Sequence, residues 1–203
     1  MKKVLTWLVY ISLCFFSSIS IAEVGCNLDD CFVVAEKEAV PISTAKGLVI
    51  NVTPFLGFTL DGVAKKITKI SADLVIEIDD ERKIVLTSIS ANELGLNSSD
   101  LTTYNLFKLA FLKDFNSLRS EGLTANELMA IKAFKVASSL GSAEDFTYFL
   151  RKKMLVITYY DPQSEYFEAY ILHENSPRIG QRISVVGFSK TEFRKLISTI
   201  KEL

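Results

Sequence analysis

Histidine is almost absent from this sequence, which has only His173 among its 203 residues. Nucleophilic catalysis by serine or cysteine commonly requires a histidine base, and zinc sites commonly use several histidine or cysteine ligands. No serine lies in the G-x-S-x-G pattern of a hydrolase nucleophile, and His173 stands at the end of a predicted strand. We therefore predict no catalytic residue, no metal site and no cofactor.

An excess of charge of either sign is also missing. The 23 basic and 24 acidic side chains give a formal net charge of −1. Domains that bind nucleic acid typically carry a clustered basic excess, so we expect no nucleic-acid partner. The hydrophobic fraction of 49% is too high for an intrinsically disordered chain, and it predicts a folded domain with a buried core.

The long hydrophobic run of the chain lies at its start. Two lysines precede the apolar stretch Val4–Phe16, and small residues follow at Ser20 and Ala22. This is the pattern of a secretory signal peptide spanning residues 1–22, with cleavage before Glu23. An uncleaved membrane anchor is the alternative, but three serines interrupt the run. We expect a periplasmic or secreted mature protein that is not stably inserted in a membrane.

The cysteine count fits an exported protein. Cys14 belongs to the predicted signal peptide, which leaves Cys26 and Cys31 with four residues between them. Two cysteines in an oxidising compartment usually form a disulfide. A redox-active pair would favour the C-x-x-C spacing. We therefore predict a structural disulfide between Cys26 and Cys31.

Two strands are indicated before residue 90 by alternating hydrophobicity. Leu74, Ile76 and Ile78 alternate with Asp73, Val75 and Glu77. The polar stretch 79–82 follows, and a second strand is predicted over Ile84–Ile89. This pattern predicts a β-hairpin. A further strand is predicted over Leu48–Val52.

The middle of the chain changes to helical spacing. Apolar residues recur every three or four positions after possible N-caps, which is typical of amphipathic helices. The first predicted helix begins at Ser99 or Asp100 and has an apolar stripe from Leu101 to Phe115, and the second begins at Thr124 and ends at Gly141. The third begins at Ser142 and carries Phe146, Phe149 and Leu150. The fourth begins at Ser189 near the C-terminus. The aromatic stripes are interpreted as core.

Three further strands precede the last helix, over Met154–Tyr160, Glu165–His173 and Gln181–Phe188. Strands and helices are thus segregated along the chain, which favours an α+β fold. We predict an antiparallel sheet, made of the N-terminal hairpin and the C-terminal three-strand meander, packed against about four helices. Residues 23–203 are expected to form one domain.

Tyrosines mark a candidate contact surface on the 154–173 hairpin. A four-residue turn over 161–164 would place Tyr159 opposite Tyr166 and Leu155 opposite Tyr170. The face with these tyrosines is expected to meet solvent, and the aliphatic face to pack on the helices. Because tyrosine is enriched in protein interfaces, Tyr159, Tyr166 and Tyr170 are candidate partner-binding residues. Cross-strand stabilisation of the sheet is the alternative.

These observations favour an exported, non-enzymatic protein that acts by protein–protein contact, such as an inhibitor, an immunity-type antitoxin or an assembly accessory. Two alternatives stay open. One is a hydrolase of envelope polymers that uses a pair of carboxylates, because such a pair is set by spatial separation and not by sequence spacing. The other is a carrier of a small ligand or lipid, with the phenylalanine-rich helices lining a cavity.

Overall fold

The computed structural model describes residues 34–43, 46–53, 56–92, 101–137 and 144–202. These residues contain both strands and helices. The described residues all belong to one compact unit, 31–203, and the α+β class is confirmed. The predicted signal peptide over 1–22 and the predicted Cys26–Cys31 disulfide lie outside the described residues.

Eleven strands and four helices are described. The strands are β1 (Glu36–Lys37), β2 (Leu48–Thr53), β3 (Leu56–Leu60), β4 (Lys66–Ile70), β5 (Asp73–Glu77), β6 (Lys83–Ser90), β7 (Glu144–Arg151), β8 (Met154–Asp161), β9 (Tyr166–His173), β10 (Ile179–Val186) and β11 (Lys201–Glu202). The helices are α1 (Thr103–Leu112), α2 (Phe115–Ser120), α3 (Ala125–Ala137) and α4 (Lys190–Ser198).

The strands form two sheets. The large sheet has the order β1-β7-β8-β9-β10-β6-β5-β4, and the small sheet has the order β11-β3-β2. The predicted hairpin is the β5–β6 pair, the predicted meander is β8–β9–β10, and antiparallel pairing of β10 with β6 joins them. The prediction that the sheet is antiparallel throughout is wrong. Strand β1 pairs parallel to β7, and the long connection between them removes the constraint that a hairpin would impose.

The predicted helix from Ser142 is also wrong, because residues 144–151 form strand β7. Phe146 and Phe149 have helical spacing, yet they lie on opposite sides of the sheet: Phe146 packs with α1 and Phe149 with α4. A strand that is covered on both faces carries apolar residues at odd and even positions alike. Its pattern therefore resembles a helix.

The predicted helix over 101–115 is two helices. The side chain of Thr102 accepts a hydrogen bond from the Asn105 amide and caps α1, and the side chain of Asp114 accepts one from the Ser117 amide and caps α2. The predicted cap at Ser99 or Asp100 lies outside the described residues, as does the predicted end at Gly141. The predicted start at Thr124 is confirmed, because Thr124 and Glu127 form reciprocal hydrogen bonds.

The large sheet is covered on both faces. Helices α1 and α3 lie on one face, where the rings of Phe107, Phe111, Phe134 and Phe146 pack with centroids 4.8–5.5 Å apart. Helix α4 and the small sheet lie on the other face, over the aliphatic side chains of β8, β9 and β10. The phenylalanine-rich helices therefore enclose a packed core.

The capping box of α4 provides a first test of the fold. The Ser189 hydroxyl accepts a hydrogen bond from the Glu192 amide, and the Glu192 carboxylate accepts one from the Ser189 amide. Replacing Ser189 with alanine leaves the Glu192 amide without its partner, so we expect a loss of about 1 kcal/mol in the free energy of unfolding. Urea denaturation measures this loss. Ser189→Asp restores a cap, and a similar loss in that variant would contradict the explanation.

Candidate functional site

The register of the β8–β9 hairpin differs from the predicted one by two residues. Tyr159 pairs with Glu168, whereas Tyr166 was its predicted partner, and Leu155 pairs with Leu172, whereas Tyr170 was its predicted partner. The turn occupies residues 162–165, and Glu165 closes it with a left-handed φ of 55°. A two-residue shift leaves every side chain on its predicted face, because side chains alternate with a period of two.

The predicted exposure of the tyrosine face is wrong for Tyr159, which is only 7% exposed. Helices α1 and α3 cover this end of the sheet, and the Phe146 ring lies 6.4 Å from the Tyr159 ring. Tyr166 and Tyr170 are partly exposed at the border of the covered region. The structure thus places Tyr159 inside the core and leaves Tyr166 and Tyr170 partly exposed.

The tyrosines surround a buried acidic residue that sequence reasoning missed. Glu168 is 3% exposed. The Tyr159 hydroxyl donates a hydrogen bond to Glu168 Oε2, and Ser184 Oγ donates one of 2.7 Å to Glu168 Oε1. We call Tyr159, Glu168, Tyr170, Arg182 and Ser184 the Glu168 cluster. The sequence signal for this cluster was an acidic residue inside the apolar stretch 166–172, because a carboxylate buried with such a stretch needs polar partners.

Burial sets the protonation of the tyrosines. It raises the pKa of Tyr159, and the neighbouring Tyr170 and Glu168 raise it further. Burial and Glu168 likewise raise the pKa of Tyr170, and the pKa of Tyr166 is raised to about 12. All three hydroxyls therefore keep their protons near neutral pH and act as hydrogen-bond donors. Both Glu168 oxygens already accept hydrogen bonds, which leaves this carboxyl group unsuited to activating a water molecule.

Arg182 is the member of the cluster that faces outward. Its side chain is 23% exposed, and its Nε lies 3.9 Å from Glu168 Oε1, beyond hydrogen-bond distance. The Nε is buried and has no hydrogen-bond partner among the described residues. Burial lowers the pKa of Arg182, but Glu168 and the nearby tyrosines outweigh it and raise it overall. The guanidinium is a fixed positive charge with unused donors.

The sheet continues from Arg182 as a surface that α1 and α3 do not cover. On this side the central side chains of β10, β6 and β5 are partly or fully exposed, whereas their neighbours on the opposite side are largely buried. We call this surface the open sheet face. Its members, identified from the strand register, are Lys66, Thr68, Ile70, Asp73, Val75, Glu77, Lys83, Val85, Thr87, Arg182, Ser184 and Val186.

Most charged side chains of the open sheet face already make polar contacts within the protein. Thr87 Oγ1 donates a 2.7 Å hydrogen bond to Asp73, and Lys83 Nζ lies 4.0 Å from Glu77. Val85 pairs with Val75 and with Ser184 between these polar rows. The face therefore combines a neutral centre with the outward guanidinium of Arg182.

His173 lies outside the open sheet face, and its contacts stabilise the fold. Its Nδ1 accepts a hydrogen bond of 3.1 Å from the Asn175 amide, so its proton is on Nε2, which lies 2.6 Å from Glu202 Oε1. Strand β11 belongs to the small sheet, and β9 to the large one. The His173–Glu202 hydrogen bond therefore joins the two sheets.

This contact predicts a pH dependence of stability. The hydrogen bond from His173 and the nearby charge of Lys152 lower the pKa of Glu202 below its ordinary value of 4.5. The ionised form thus favours the fold, and its contribution is complete above 4.5 and lost as pH falls through the folded-state pKa. We expect Glu202→Gln to lose less stability than the unmodified protein on acidification through this range. Urea denaturation across the range tests this, and equal pH slopes would contradict it.

Other classes of site find little support in the described ranges. They contain no group of three or more histidine, cysteine, aspartate or glutamate residues placed to hold a metal ion. None of the described helices has the length and apolar character needed to cross a membrane. Comparison of the chain with protein-family models, curated proteins and solved structures gave no match, and the geometry of the open sheet face is therefore the basis for a functional proposal.

Proposed function

We propose that this protein is exported and acts by binding another protein through the open sheet face. The observation that carries the proposal is Arg182, whose side chain is 23% exposed on this face and lies beyond hydrogen-bond distance of Glu168. An incoming carboxylate could accept two parallel hydrogen bonds from the exposed end of the guanidinium. The partner is expected to present an acidic side chain to Arg182.

The surroundings of Arg182 suit a protein partner. The strands β10, β6 and β5 form a continuous surface whose centre is valine and serine, and Tyr166 and Tyr170 stand at its border. Interfaces combine an apolar centre with arginine and tyrosine anchors and a polar rim. In this proposal Tyr166 and Tyr170 contact the partner, and Tyr159 supports them from the core.

The alternatives have weaker support at this site. A hydrolase would need a pair of carboxylates free to act on a substrate. At this site both oxygens of Glu168 accept hydrogen bonds, Asp73 accepts one from Thr87, and Glu77 lies 4.0 Å from Lys83. A carrier with phenylalanine-rich helices around its ligand would need space between them, and those rings contact one another. The protein-binding role is therefore the one that the open sheet face favours.

Site-specific photo-crosslinking identifies the partner and tests the surface. A photoreactive phenylalanine analogue at Val85 is expected to capture the partner in cells that make the protein. The same analogue at Met129, which is 68% exposed on α3, serves as a control. Capture at Val85 and not at Met129 supports the surface, and equal capture at both positions contradicts it.

Affinity for the captured partner gives the quantitative prediction. We expect Arg182→Met to weaken binding at least about tenfold, because interface arginines that pair with carboxylates are frequent hot spots. The variant should also lose some melting temperature, because Arg182 places a positive charge 3.9 Å from the buried Glu168, so affinity is measured well below the unfolding transition, where circular dichroism shows that the variant is folded. Arg178→Met, at an exposed arginine outside the face, is the matched control. Equal affinities of the two variants would refute the role of Arg182.

The tyrosines extend this test. Tyr166→Ser is expected to lower affinity with little loss of stability, and Tyr159→Ser is expected to lower stability. A parallel fall of affinity and melting temperature in both variants would show that the tyrosines are core residues only.

A further inference from the structure

A cavity of about 340 Å³ lies on the side of the large sheet opposite the open sheet face. Residues 38–41 form one wall, and α4 forms the other. Phe149 of β7 and Thr158 of β8 form the base between them. This volume is at the lower end of the range found for small-molecule sites.

The lining is mainly apolar. Phe149, Phe193 and Ile197 are 2–4% exposed and give the cavity a rigid floor and inner wall. Val40 and Pro41 complete the wall opposite α4. A molecule that fills the cavity must therefore have an apolar body.

Hydrogen bonds hold the two walls in place. The Ser43 amide donates to the Ser198 carbonyl at 3.1 Å, and Arg151 donates to the Val40 carbonyl at 3.3 Å. Across the rim, Arg194 and Glu38 form an ion pair of 2.9 Å. The cavity is thus built into the fold before any ligand enters.

One polar group at the base can be assigned as an acceptor. Thr147 Oγ1 donates its proton to Glu38 Oε2 at 3.0 Å. The 2.9 Å contact between Thr147 Oγ1 and Thr158 Oγ1 must then use the proton of Thr158. Thr158, which lines the cavity, therefore has no proton left to donate and can only accept a hydrogen bond from a ligand.

We infer that the cavity binds a small apolar molecule that carries one hydroxyl or amino group, and that this group donates a hydrogen bond to Thr158. The binding site is separate from the open sheet face and independent of the protein-binding role. Selectivity arises because a ligand without a donor gains the apolar contacts but leaves the Thr158 oxygen unpaired.

Fluorescence titration of the purified protein with 1-aminoanthracene tests the inference, with anthracene as the probe that lacks a donor. We expect a saturable, blue-shifted signal with 1-aminoanthracene and at least about fivefold weaker binding of anthracene. Thr158→Val keeps the shape of the side chain and removes its oxygen. This variant should weaken 1-aminoanthracene about tenfold and make the two probes similar.

The control is Thr87→Val, which removes a strand hydroxyl from the opposite face of the same sheet and should leave both affinities unchanged. Absence of saturable binding overturns the inference. So does equal binding of 1-aminoanthracene by the Thr158→Val variant and the unmodified protein. If circular dichroism shows that Thr158→Val does not fold, the test is the comparison of the two probes on the unmodified protein. Equal affinities of 1-aminoanthracene and anthracene then overturn the inference.

Discussion

Replacement of Glu168 with alanine is expected to lower the free energy of unfolding by about 3–5 kcal/mol, the range found when one partner of a buried charged pair is removed. The change takes away the acceptor for the Tyr159 hydroxyl and for Ser184 Oγ. It also leaves the largely buried Arg182 without its neighbouring negative charge. Urea denaturation gives the loss directly.

Two further variants make this prediction specific. Glu168→Gln keeps one oxygen and should cost less, about 1–3 kcal/mol, because only one of the two donors then loses its acceptor. Glu81→Ala, at an exposed acidic residue in a turn, should change stability by less than about 0.5 kcal/mol. If Glu168→Ala resembles the Glu81 variant, the cluster does not stabilise the fold.

Replacement of Phe107 with alanine should have an effect of the same size, about 3–5 kcal/mol. Phe107 is 1% exposed, and its ring lies 4.8 Å from the rings of both Phe134 and Tyr170. It therefore joins α1 to α3 and both helices to the sheet. The alanine variant leaves a cavity where three elements meet, and the remaining rings cannot fill it without moving a helix.

Chemical denaturation and near-ultraviolet circular dichroism measure this effect together. Denaturation gives the loss of stability, and the dichroism reports whether the aromatic side chains remain packed in fixed orientations. Met129→Ala, on the exposed side of α3, is the control and should stay within about 0.5 kcal/mol of the unmodified protein. A loss below about 1 kcal/mol in Phe107→Ala would mean that α1 is not needed to cover the sheet.

Local signals in the sequence predicted the elements that depend on a few neighbouring residues. Ser189 and Glu192 satisfy each other's backbone amides within one turn, and this pattern is readable from their spacing alone. The β5–β6 hairpin follows from alternating aliphatic residues and a polar turn at residues 79–82. In these cases the interaction that stabilises the element is contained within it.

Most of the failed predictions concern elements whose structure is determined by contacts with residues outside them. Phe146 and Phe149 have the spacing of a helix, but two different core layers bury them from opposite sides. The register of the β8–β9 hairpin is different, because it depends on Glu165 in the turn of the hairpin itself. Glu165 adopts a left-handed conformation that is uncommon for residues other than glycine, asparagine and aspartate. The parallel pairing of β1 with β7 joins residues more than a hundred positions apart.

The predictions for the candidate site divide in the same way between local and tertiary causes. The sequence by itself determined that β8 and β9 are strands and which of their side chains share a face, because alternation is a local property of an extended chain. Only the tertiary structure decided that α1 and α3 cover Tyr159, that Ser184 reaches Glu168 from the next strand, and that Arg182 faces outward. Burial is a property of the whole fold, since it depends on which elements pack above a face and where their cover ends.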